Sequence, residues 1–252
     1  MGAGDPYVYP GTDVLRNLLG LRDPDQLTAL EVTVTTLALA GLEATRLPGQ
    51  YDLAHLQAFH REVFGEVYPW AGELRTVAIS KPGAVFCLPQ HLTSYANEVL
   101  GRLADARWLR DTAREVFLDG LSALWADLNS LHPFREGNGR SARAFLRQMS
   151  ADAGWPLSWA GLDARVNLHA SVAAHQGDNA PMRALLDRHI APHLVLPRTG
   201  RAGAATAVVT AATSYPTPLS EALSDAQPPL PGHPGDRPPP RRGPPSRRSR
   251  GR

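Results

Sequence analysis

Apolar residues recur every three or four positions along most of the chain, a period that predicts helices rather than strands. Leu27, Leu30, Val34, Leu37 and Leu42 form one such stripe, and Asp23-Pro24 in front of it is a pair suited to opening a helix. Thr12 or Asp13 is placed to cap a short helix through Leu18, and Asp52 to cap another through Phe64. Phe117, Leu121, Leu124, Trp125, Leu128 and Leu131 describe a helix within 110–131 that ends near Pro133. Further helical stretches fall at 91–103, 141–149, 162–174 and 178–189, with Asp178 at the N-cap of the last. One segment breaks the pattern. From Glu73 to Ser80, Leu74, Thr76 and Ala78 alternate with Val77 and Ile79; Pro82-Gly83 then turns the chain, and Ala84 to Leu88 is extended again, which predicts a β-hairpin. The expected fold is all-α with one hairpin, and no repeat of solenoid length is present.

The loop between two of these helices concentrates the chemistry. It reads His132-Pro133-Phe134-Arg135-Glu136-Gly137-Asn138-Gly139-Arg140, with Arg143 three residues on. Gly137 and Gly139 can adopt backbone angles closed to other residues, and Ala142, Phe145, Leu146 and Met149 behind them mark a buried helix. Free amides at that helix's start, with the positive end of its dipole, form an anion site. Arg140 and Arg143 share a helical face, so both guanidinium groups are within reach of one polyphosphate. A carboxylate at Glu136 beside phosphate calls for a divalent cation between them, and Mg²⁺ is the hard, oxygen-seeking ion expected. His132 supplies a base, and Phe134 an apolar anchor for the loop.

The run His-x-Phe-x-Glu-Gly-Asn-Gly-Arg-x-x-Arg resembles the signature of the Fic family, with every functional position filled. Asp5-Pro6-Tyr7-Val8-Tyr9-Pro10, Tyr51 to Leu56, Tyr68 to Glu73 and Ile79-Ser80-Lys81 are similar to segments of bacterial Fic toxins. The resemblance implies a helical bundle around the motif loop and helix, with a short hairpin flap. It implies a protein adenylyltransferase that moves AMP from ATP to a Tyr, Thr or Ser hydroxyl. In that reading His132 is the general base, Glu136 holds Mg²⁺, and Gly137, Asn138 (amide and side chain), Gly139, Arg140 and Arg143 bind the phosphates. The flap, with Thr76, Ile79, Ser80 and Lys81 as candidate contacts, pairs with the target or touches nucleotide. Family members often carry glycine directly after the Ser-Lys pair, where this chain has Pro82. A kinase branch that transfers the γ-phosphate uses Lys at the second motif glycine, and Gly139 argues against it here. The resemblance also implies a toxin restrained by a small antitoxin, with subunits of bacterial type II topoisomerases as the leading target.

Composition separates the two ends of the chain. Between Gln227 and Arg252 stand nine prolines and seven arginines against the single acid Asp236, so this segment carries +6 of a chain whose net charge is +2. Such a composition cannot bury a core. The expected organisation is a Fic domain over 1–197, with the flap at 73–88 and the motif at 132–143, and a low-complexity disordered tail over 198–252. The tail offers the one route to nucleic acid, and a docking module built on it is the non-enzymatic alternative. Cys87 alone excludes an internal disulfide. No leader pattern, no uninterrupted apolar run of membrane-spanning length, and no CxxC or HExxH appears, so the expectation is a cytoplasmic protein without zinc or membrane. Tyr68, Trp70 and Trp155 are expected to pack rather than to hold a base.

Fic enzymes are restrained by a helix carrying Ser/Thr-x-x-x-Glu-Gly/Asn, whose glutamate pairs with the last motif arginine. Ser94 to Glu98 and Thr217 to Glu221 fit in part, each lacking the last residue. The inhibitory glutamate is therefore expected from a separate protein, with Glu221 as the competing source in cis.

Overall fold

In a computed structural model the chain is described over residues 5–81 and 84–192. Asp23 opens the first helix as expected: its carboxylate accepts the N–H groups of Asp25 and Gln26, and Pro24 sits where no amide partner is needed. Helix α1 (Pro24–Ala44) turns Leu27, Glu31, Thr35 and Leu39 inward, one residue in four. Leu37, assigned to the apolar stripe, is 64% exposed, because the buried line includes two polar residues that a hydrophobic count passes over. α1 is also long and apolar enough to cross a membrane, by length and composition only, although Glu31 and four threonines interrupt its apolar run.

Asp52 caps α2 (Leu53–Phe64), accepting the His55 N–H. The hairpin is far shorter than the alternation suggested. Only β1 (Ser80–Lys81) and β2 (Ala84–Val85) pair, antiparallel, with Ser80 opposite Val85 and Lys81 opposite Ala84; Pro82-Gly83 lies outside the described residues. Residues 73–79 do not form a strand, since the Arg75 N–H is spent on the Pro133 carbonyl. Nor is there a helix at 12–18. The Thr12 hydroxyl closes a local turn, donating to the Tyr9 carbonyl and accepting the Val14 N–H, and Val8 bridges to Leu15.

Helix α3 (Leu92–Asp105) follows a single 3₁₀ turn at Pro89–His91. α4 (Arg114–Leu131) starts later than the periodicity indicated, because Arg107, Trp108, Leu109 and Asp111 all take left-handed backbone angles that break the run. α5 (Asn138–Asp152) is buried over most of its circumference, with Ser141 to Leu146 inside. It packs against α2 and α4 and is the axis of the bundle. α6 (Ala164–His175), capped by Asp163, and α7 (Ala180–His189) close the far side. Asn179 is the N-cap position of α7, while the Asp178 carboxylate accepts the Ala180 N–H. Among the described residues the fold is therefore seven α-helices with one two-stranded hairpin. The proposed tail, 198–252, lies outside them.

Candidate active site

His132 ends α4 in a left-handed conformation, φ 43° and ψ 60°, which turns the chain out of the helix axis and into the motif loop. Its backbone N–H still bonds to the Leu128 carbonyl, and its own carbonyl accepts the Nε–H of Arg75 at 2.8 Å. Phe86, just past β2, stacks on the imidazole with centroids 3.9 Å apart. Burial, then the charges of Lys81 and Arg75, push the ring's pKa down to about 3 against a backbone hydrogen bond to Asn129. The imidazole is thus neutral, and one ring nitrogen keeps the lone pair that a general base needs.

Phe134 anchors the loop in the core at 1% exposure. His60 of α2 stacks on it at 3.9 Å and ties two segments together: Nδ1 accepts the Gly72 N–H at 2.8 Å, so Nε2 carries the proton and donates to the Glu136 carbonyl at 2.9 Å. Burial, the largest effect, and the charges of Arg140 and Arg61 lower the pKa of His60 to about 4, against that same hydrogen bond. Asn138 differs from its expected role. Its Oδ1 accepts the Phe134 N–H and its Nδ2 donates to the Phe134 carbonyl, so the side chain shapes the loop, while its main-chain N–H stands at the start of α5. Gly137 takes φ 78° against the Phe64 ring, where a Cβ would lie 2.2 Å from ring carbons.

The two arginines also part company. Arg140 bonds to Glu31 Oε1 at 2.5 Å and Thr35 Oγ1 at 3.3 Å, both on α1, and lies over the Phe64 ring. The second Glu31 oxygen accepts the Tyr68 hydroxyl, whose pKa is raised by burial and then by the carboxylate's charge. Arg143 is 8% exposed with its Nη1 against Gly139, and the Trp159 indole N–H fixes its carbonyl.

These parts converge on one cavity of about 410 Å³, lined by His132, Glu136, Gly137, Asn138, Gly139, Arg140 and Arg143. Ile79, Ser80 and Lys81 of the flap form one wall, and α4 and α6 supply Asn129, Asn167, Ser171 and His175 on another. Burial lowers the Lys81 pKa, opposed by Glu136. Thr76 stands apart from this wall. Its N–H donates to the Tyr7 hydroxyl and its Oγ1 lies 3.3 Å from the same oxygen, so it braces the flap's base. Nearby, Asp5 grips Arg135 through Nε and Nη2 at 2.9 and 2.8 Å. Glu98, one partial match to an inhibitory glutamate, pairs instead with Arg102 on the surface of α3; the other, at 217–221, lies outside the described residues. Tyr68, Trp70 and Trp155 are buried, and among the described residues no group of three metal-binding side chains forms.

Sequence reasoning missed Arg75, Glu31, His60 and Phe86. Glu31 alone left a signal, as a carboxylate in line with Leu27, Thr35 and Leu39.

With this fold and site, the chain belongs to the Fic/DOC family, whose model matches residues 50–150. It is 37% identical over 188 residues to the probable protein adenylyltransferase y4lH of Sinorhizobium fredii, covering 74% of this chain and 96% of that one. It is 35% identical over 189 residues to the protein adenylyltransferase VbhT of Bartonella schoenbuchensis, covering 75% of this chain and 40% of that longer protein. The BepC protein of Bartonella tribocorum, solved with bound AMPPNP, superposes with a TM-score of 0.69 at 22% identity over 75% of this chain and 97% of its own, which is a likeness of fold.

Proposed function

We propose that this chain transfers AMP from ATP to a Tyr, Thr or Ser hydroxyl of a target protein, with His132 as general base. The carrying observation is the convergence of a neutral imidazole, a cavity-facing carboxylate and a helix N-terminus on one cavity. Family membership and relatives named protein adenylyltransferases make it an AMPylating enzyme. The target hydroxyl gives its proton to His132 as its oxygen attacks the α-phosphorus, and pyrophosphate departs in line. The first amides of α5 face the phosphates, Arg140 stays fixed at their edge by Glu31, and Arg143 closes the far end.

Glu136 fits the cation that such a reaction uses. Its Oε1 accepts the Gly137 N–H at 2.8 Å and its side chain is 44% exposed beside the phosphate cradle. One hard carboxylate with phosphate oxygens suits Mg²⁺, which supplies charge neutralisation for the departing pyrophosphate. The flap edge at Ile79 to Lys81 holds an extended target segment by main-chain pairing. A cytoplasmic toxin acting on subunits of type II topoisomerases is the biological setting. A separate helical partner restrains it by presenting a glutamate to Arg143, a bidentate pair that competes with the γ-phosphate.

Labelled ATP tests this. AMP incorporation should follow the α-phosphate, require Mg²⁺, and vanish in His132→Ala while ATP still binds. Label from the γ-phosphate alone would sink the adenylyl reading in favour of phosphotransfer. Removal of the chain beyond Leu196 should leave the rate unchanged; a large rise would move the inhibitory glutamate to Glu221.

A further inference from the structure

Arg75 is 2% exposed and does not line the cavity, yet each of its three guanidinium nitrogens donates to a carbonyl around it. Its Nε donates to the His132 carbonyl at 2.8 Å, Nη1 to the Val77 carbonyl at 2.8 Å, and Nη2 to the Cys87 carbonyl. Its own N–H bonds to the Pro133 carbonyl, and the Cys87 N–H to that of Ser130, each at 2.9 Å. All three of its acceptors are backbone carbonyls, the ionisable neighbours are the Tyr7 phenol and the Cys87 thiol, and among the described residues no carboxylate pairs with this guanidinium. An uncompensated buried cation is costly, and a fold that needed only packing would place an apolar residue here. What the guanidinium does that an apolar residue cannot is join three carbonyls from separate segments with one rigid, planar set of donors.

The three carbonyls belong to the base and to the two legs of the flap. His132 is held at a positive φ that histidine seldom adopts, and its carbonyl is the group that Arg75 grips. Val77 leads into β1 and Cys87 follows β2. Without the guanidinium, the flap and the end of α4 share two main-chain hydrogen bonds and the Phe86 stack.

We propose that Arg75 is the positioning residue of the transfer step: it locks the His132 backbone and both legs of the flap into one frame, so that base and acceptor-holding edge keep a fixed separation. The proposal rests on the reading of His132 as base and of the flap as the target's edge. Rates of group transfer respond steeply to displacements of about 1 Å, so loosening this frame costs turnover rather than nucleotide affinity. Lysine cannot replace it, because one ammonium on a flexible stem cannot span three carbonyls in a plane.

The experiment uses the full chain with Arg75→Lys, or Arg75→Gln should the lysine variant fold poorly. AMP incorporation into the protein itself from α-labelled ATP, ATP affinity by calorimetry, and amide hydrogen exchange are measured together. The expected result is a rate lowered tenfold or more, affinity for Mg²⁺-ATP within twofold of wild type, flap amides exchanging at least tenfold faster, and α5 amides unchanged. Wild-type rate and flap exchange would overturn the proposal. So would α5 and flap exchange rising together, or failure of both variants to fold, since either marks Arg75 as a stabiliser of the whole bundle. Should wild-type protein incorporate no AMP, the adenylyl-transfer reading falls by itself, and flap against α5 exchange decides the role of Arg75.

Discussion

Phe86 lies parallel to the imidazole of His132, with planes 10° apart and centroids 3.9 Å apart. Burial is the largest cause of that histidine's lowered pKa, and the Phe86 ring covers one face of the imidazole. Phe86→Ala opens one ring face to water and moves the pKa from about 3 back toward the ordinary 6.5. The neutral ring is the reactive form, present above its pKa. AMP incorporation limited by His132 should therefore hold steady in the wild type as pH falls, and drop roughly tenfold by about pH 5.5 in the variant. Single-turnover rates across a pH series check this.

Acid should weaken the fold through the same chemistry at His60. Its folded pKa, about 4, lies below the ordinary 6.5, so the unfolded chain binds more protons between those values. Stability is then full above about pH 6.5 and declines as pH falls toward 4, by on the order of 2 kcal/mol at about pH 5 from this residue. Urea melts at pH 7 and pH 5 should show the loss, and His60→Asn should flatten it.

Glu31→Ala removes the partner of both Arg140 and Tyr68 and leaves a guanidinium paired only with Thr35 and the more distant Glu136. The expected destabilisation is about 3 kcal/mol, in the range for breaking a buried pair. Thr35→Ala, which deletes one long hydrogen bond, should cost less than about 1 kcal/mol. Chemical denaturation of the two variants side by side is the measurement, and equal losses would refute a dominant role for the carboxylate.

The motif glycines should differ in kind. A Cβ at Gly137 would lie 2.2 Å from the Phe64 ring on backbone that also has positive φ, whereas one at Gly139 would meet the Arg143 guanidinium at 3.2 Å. Gly137→Ala should cost more than about 2 kcal/mol and abolish ATP binding. Gly139→Ala should fold normally and bind ATP several-fold more weakly, as calorimetry would report.

Periodicity and local chemistry explain why the bundle and motif were legible. Asp23, Asp52 and the Phe117 to Leu131 stripe act within a turn or two of themselves, so their roles are written beside them. The same reasoning placed a helix at 12–18 because Thr12 is a good cap, but its hydroxyl closes a turn there instead. At 73–79 alternation suggested a strand, while Arg75, inside the supposed pattern, was drawn into the core by carbonyls as distant in sequence as His132. The Asn138 side chain was assigned to phosphate along with its main-chain amide because an amide next to a phosphate cradle is plausible locally; the side chain's partner, four residues back, depends on how sharply the loop turns. Partnerships across the fold, such as Asp5 with Arg135, have no local trace.

That long reach has a consequence for the order in which the protein becomes active. Asp5 meets Arg135, Tyr7 meets Thr76, and Glu31 meets Arg140, so segments before and within α1 are completed by segments synthesised well after them. Loop-closing contacts of this span form late and together. A nascent chain that has displayed α1 and the flap but neither the motif loop nor α5 holds neither a base nor a fixed guanidinium, and a ribosome carrying it carries no working transferase.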